Sequence, residues 1–103
     1  MSKWIENEEL EKPLNIAFDV DGTLIHQVGE AEDTPRYDII SQFHFYENLG
    51  NTMFIWSGGG VSYAERWAER LGLKAKIVPK GSFLPDITFD DMNVNLGKVN
   101  IRV

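Results

Sequence analysis

Residues 15 to 24 read NIAFDVDGTL. The short apolar run from Asn15 to Phe18, bounded by polar residues, has the pattern of a strand buried on both faces. Strands of that kind belong to parallel sheets covered by helices. The residues just past such a strand, here Asp19, Asp21 and Thr23, stand where open α/β sheets bind their ligands.

The rest of the chain fits the same scheme. TMFIW, Thr52 to Trp56, is a second apolar run. Between the two runs, Ile39, Phe43, Tyr46 and Leu49 recur at helical spacing, with Thr34 and Pro35 as start signals and Gly50 as a stop. Tyr63, Ala64, Trp67, Ala68 and Leu71 form the apolar stripe of a second helix ending at Gly72. AKIV (Ala75 to Val78) and DITF (Asp86 to Phe89) read as a third and a fourth strand, and the alternating VNIRV (Val99 to Val103) as a fifth at an edge. The order predicts an α/β fold: an open, mostly parallel sheet of about five strands with helices packed on it. Residues 1 to 12 read as a short surface helix or a tail. No repeat or linker divides the chain, and its 103 residues suit one domain over 1–103.

Composition narrows the function classes. Ten basic against 16 acidic residues give a formal charge of -6. Bulk charge therefore disfavours nucleic acid and anionic membrane as partners, while small anions escorted by a cation remain open. The absence of cysteine removes disulfides and thiolate-bound zinc. No apolar run approaches the ~20 residues of a membrane span, and the acidic start lacks a signal peptide's apolar core, so a cytoplasmic location is expected.

The residues following each strand form a coherent set. Asp19, Asp21 and Thr23 follow the first, Ser57 with Gly58, Gly59 and Gly60 the second, Lys80 the third, and Asp90 with Asp91 the fourth. Taken singly these are weak signals, because Asp-Gly is also a turn dipeptide and a glycine run also a plain loop. Together they bring carboxylates, a hydroxyl, a glycine-rich helix start and an ammonium group to one rim.

DVDGTL, IWSGG and PDITFDD, in that order, resemble the first, second and fourth motifs of the haloacid dehalogenase superfamily, over about residues 14 to 91. The resemblance implies a Rossmannoid fold and a Mg²⁺-dependent phosphohydrolase that cleaves a phosphate monoester through an aspartyl-phosphate. It makes Asp19 the nucleophile and Asp21 the general acid and then base. By the same resemblance Thr23, Ser57, Gly58 and Gly59 would bind the phosphoryl group. Lys80 balances charge, with Lys74 and Lys76 as alternatives because Lys80 stands only ten positions before Asp90. The resemblance implies that Asp19, Asp21 through its main-chain carbonyl, and Asp90 or Asp91 would hold the metal, Asp90 being the favoured direct ligand.

Leu24 to Asn51 and Pro79 to Pro85 leave no room for the family's usual cap domain, nor for the usual helix before the fourth strand. An open site of this kind suits a large substrate or closure by a homo-oligomer. His26, just past the first motif, is a further candidate for reaching substrate; His44, Trp56 and Trp67 read as surface or core. Two rival readings are an inactive family member serving as a binding or regulatory module, and a signalling receiver domain. In a receiver domain the phosphorylated Asp follows a later strand, whereas the later strands here end in WSGGG and VPKGS.

Overall fold

The computed structural model describes residues 13–29 and 32–103; the expected helix or tail at residues 1 to 12 lies outside them. The elements are β1 (Asn15–Asp19), α1 (Tyr37–Asn48), β2 (Thr52–Trp56), α2 (Val61–Leu71), β3 (Lys76–Ile77), β4 (Ile87–Asp90) and β5 (Val99–Arg102). All strand pairs are parallel, in the order β3-β2-β1-β4-β5. The apolar run Asn15 to Phe18 forms the central strand, and β5 lies at an edge as expected.

Sheet order dictates the layers. The path β1→α1→β2→α2→β3 moves steadily one way, so right-handed crossovers put both helices on the same face. There Ile16, Phe18, Ile55 and Phe89 pack with Ile39, Phe43, Ala64 and Trp67, and Phe18 stacks on Phe89 at 4.4 Å between ring centroids. The two later crossovers run back the other way and pass over the opposite face. They carry no helix: Val78–Asp86 and Asp91–Lys98 join parallel strands with nine and eight residues, where a dozen or more is usual.

Loops therefore seal the second face. Phe83 covers Phe54 and Trp56 at 4.6 and 5.8 Å between ring centroids, with Val78 and Leu96 completing the cluster around Ala17. Asn100 of β5 ties down the second loop. Its Oδ1 accepts from the amides of Leu96 and Gly97, both at 2.9 Å, and from the Thr88 hydroxyl at 2.6 Å, while its Nδ2 donates to the Gly97 carbonyl at 2.8 Å. The loop lies so close to the sheet that a Cβ on Gly97 would come within 2.7 Å of Thr88 Cγ2 and 3.0 Å of the Pro85 carbonyl. One side-chain amide thus satisfies backbone groups that a crossover helix would have satisfied internally.

Three local expectations shift. Thr34 and Pro35 do not cap α1: Pro35 bridges to Ile25, and Arg36 stands at the N-cap with no side-chain cap bond. Leu49 falls beyond the helix and is exposed, whereas Ile40 is buried instead. β3 contracts to two residues because Pro79 and the turn closed by the Ser82 amide on the Pro79 carbonyl end its pairing. At α2 the stop is as read, with Gly72 left-handed at φ 67°.

Candidate active site at the carboxyl ends of the strands

Asp19 and Asp90 are the last residues of β1 and β4, neighbouring parallel strands. Alternation along each strand sends both carboxylates to the loop-covered face, where they are only 5% and 3% exposed. Lys80, from the loop that crosses that face, reaches both. Its Nζ lies 3.1 Å from Asp19 Oδ1 and 2.7 Å from Asp90 Oδ2, and Asp90 Oδ1 accepts from the Met92 amide at 2.9 Å. Of the three lysines considered, Lys80 is the one brought here; Lys76 lies over the Phe54 ring, 5.9 Å from its centroid.

Asp91 sits against the turn after β1. Gly22 is left-handed there at φ 76°, and a Cβ on it would come within 2.2 Å of Asp91 Oδ2, so this glycine is needed for both its conformation and its emptiness. Arg36 braces the turn, donating to the Gly22 carbonyl at 2.8 Å while pairing with Asp38 at 2.8 Å.

One ammonium faces three carboxylates. Burial and the Asp90 charge push the Asp19 carboxyl up to about 7, against the pull of Lys80. Burial and the same neighbour raise Asp91. For Lys80, burial opposes the charge, but the hydrogen bond to Asp90 and the charge of Asp19 outweigh it and raise the group. With all four groups ionised, two negative charges remain uncompensated. One oxygen each from Asp19, Asp90 and Asp91 lies within 4.8 Å of the others, a donor set of hard oxygens that suits a small divalent cation.

A stability prediction follows for metal-free protein. Because the Asp19 carboxyl is raised from 3.8 to about 7 in the folded state, the stability it contributes is full below its unfolded value and is lost as pH rises through about 7. Asp19→Asn, which has no charge to bury, is expected to raise the melting temperature at pH 8 by about 4 °C or more, with the difference shrinking towards zero near pH 4. Thermal melts in chelator at the two pH values check this; an increase no larger at pH 8 than at pH 4 would contradict it.

The β2–α2 turn supplies the opposite wall. Ser57 is buried and its Oγ accepts from the Gly59 amide at 3.0 Å, while the Gly60 amide closes the turn on the Ser57 carbonyl at 3.1 Å. The amides of the first turn of α2 have no partners within the helix and form the positive end of its dipole. Asp19, Asp21, Ser57, Gly58, Gly59, Lys80 and Asp91 line one cavity of about 220 Å³. Sequence reasoning missed two further lining residues, Gln27 and Met92, neither of which belongs to a patterned position. Asp90 is not on the wall of that cavity. Nor is Thr23, which is fully buried and whose hydroxyl finds no partner among the described residues.

A second, wider groove of about 660 Å³ adjoins the first, sharing Gln27 and Asp91. His26 lines this groove, with Val28, Arg36 and Asp38. His44 is on the exposed face of α1, and Trp56 and Trp67 are in the core. Asp21, on the wall of the smaller cavity, accepts a hydrogen bond from the Tyr63 hydroxyl at 2.5 Å. No protein-family model, curated protein or solved structure matches the chain.

Proposed function

We propose that the chain is a divalent-cation-dependent phosphohydrolase of the haloacid dehalogenase type, cleaving a phosphate monoester through an aspartyl-phosphate. The observation that carries the reading is the buried Asp19 at the end of the central strand, held by Lys80, with Asp90 and Asp91 within coordination distance of it. A solvated turn acid has no need of such surroundings, whereas a carboxylate that must meet a phosphate dianion does.

The steps balance with the residues present. An Asp19 oxygen attacks phosphorus as the ester P–O bond breaks, and Asp21 gives its proton to the departing oxygen. Water then attacks the acyl phosphate, Asp21 takes its proton, and the phosphorus–Asp19 bond breaks to release phosphate. Lys80 offsets charge at Asp19 and on the transferred group. Ser57 and the amides around Gly58 and Gly59, at the start of α2, hold phosphoryl oxygens. Mg²⁺ fits the donor set of Asp19, Asp90 and Asp91, joined by the Asp21 main-chain carbonyl, and when bound supplies neutralisation of phosphoryl charge. Among the described residues no helix is long and apolar enough to cross a membrane.

The test is a phosphatase screen over sugar phosphates, nucleotides and phosphopeptides. Turnover is expected with Mg²⁺ and to be abolished by EDTA, and Mg²⁺ is expected to raise the melting temperature by binding the folded state. Asp90→Asn should weaken that thermal shift more than Asp91→Asn; the reverse order would exchange their roles. Full activity in excess EDTA would remove the mechanism.

A further inference from the structure

Tyr63 is absent from the wall of the small cavity, yet its hydroxyl donates to Oδ1 of Asp21, which is on that wall. The two residues are 42 positions apart in the chain and meet because the turn after β1 and the first turn of α2 share the same rim. Gly59 makes room for the tyrosine: a Cβ there would lie 3.1 Å from Tyr63 Cδ2 and 3.2 Å from its Cγ. A phenol hydroxyl is a good donor to a carboxylate, and a bond this short fixes both the torsion of the aspartate and which of its oxygens is engaged. Without that bond, the plane of a carboxyl group on a turn is broadly distributed about its last torsion.

We propose that Tyr63 is a positioning residue for Asp21, its hydroxyl holding one carboxylate oxygen so that the other faces the departing ester oxygen; this rests on the phosphohydrolase reading. Tyr63 touches neither substrate nor phosphoryl group and acts through Asp21 alone. A purely structural tie between the β1 turn and α2 would have a different signature. Losing such a tie lowers stability and slows all substrates alike, whereas misdirecting a proton donor slows a reaction in proportion to its need for the proton.

The experiment compares Tyr63→Phe with the unaltered protein on an alkyl phosphate and on 4-nitrophenyl phosphate. The quantity read is kcat/KM, which covers the steps only as far as cleavage of the ester bond. Phe keeps the ring that packs against Gly59. The alkyl value is expected to fall about 10- to 100-fold, below the full value of general acid catalysis, and the aryl value by no more than about threefold. In an Asp21→Asn background the same substitution should cost the alkyl substrate nothing further, because both act on one proton transfer. Equal losses on the two substrates, or a full additional loss in the Asp21→Asn background, would overturn the proposal. Should Tyr63→Phe fail to fold, 3-fluorotyrosine at position 63 keeps the shape while making the hydroxyl a stronger acid, and an alkyl-to-aryl ratio that does not move there overturns it equally. An unaltered protein inactive on both esters would bring down the phosphohydrolase reading and this inference with it. An active protein whose ratio is insensitive to position 63 would bring down the inference alone.

Discussion

Asp19→Asn is expected to abolish turnover of every phosphate ester, however good the leaving group, if Asp19 is the nucleophile as proposed. A carboxamide is too poor a nucleophile to form the acyl phosphate, so the covalent step disappears rather than slows. Leaving-group chemistry offers no escape, because nucleophile loss precedes any question of protonating the departing oxygen. Assays on alkyl and nitrophenyl phosphates, with a check for any phosphate-sized mass increase, measure the effect. In chelator the same variant is expected to be more stable than the unaltered protein at pH 8, since Asp19 carries a buried charge that burial and Asp90 both oppose. An inactive but more stable protein would separate loss of chemistry from loss of fold. Substantial turnover of the aryl ester by Asp19→Asn would remove Asp19 from the role of nucleophile.

Asp21→Asn is expected to divide substrates instead of silencing them. General acid–base help is typically worth ~10² to 10⁴ in rate, and an alkoxide needs it where a nitrophenolate hardly does. The alkyl kcat/KM is therefore expected to fall on that scale while the aryl value largely survives. If Asp21 is also the base for the hydrolytic water, phosphorylated protein should build up in this variant with the aryl ester, appearing as a mass increase that hydroxylamine removes. Equal losses on both substrates with no trapped adduct would reassign Asp21 to the metal or the turn.

Much of this arrangement was legible in the sequence, because each local signal reports one local fact. The unbroken run at Asn15 to Phe18 reported a strand covered on both sides, and it is the centre of the sheet. The stripe Tyr63, Ala64, Trp67, Ala68, Leu71 with Gly72 reported a helix with one buried face, and α2 ends there. Asp19 and Asp90 follow from the same logic, since the last residue of a parallel strand lies at the rim where ligands bind.

Tertiary structure alone decided what crosses between segments. The ion pair of Lys80 with Asp19 spans 61 positions and the bond from Tyr63 to Asp21 spans 42; neither separation has a period that a sequence can display. Both depend on where crossovers land: Lys80 lies on the helix-free crossover between β3 and β4, which runs over one face of the sheet, and Tyr63 on the first turn of α2, which packs on the other. Thr23 had the residue type of a ligand-binding hydroxyl, but the turn buries it completely. The sequence determined which residues stand after which strands, because hydrophobic alternation is a local consequence of burial. Which side chains meet, and how strongly Asp19 resists its charge, was settled only when the folded sheet removed water from that rim, because desolvation and long-range contact are properties of the packed chain.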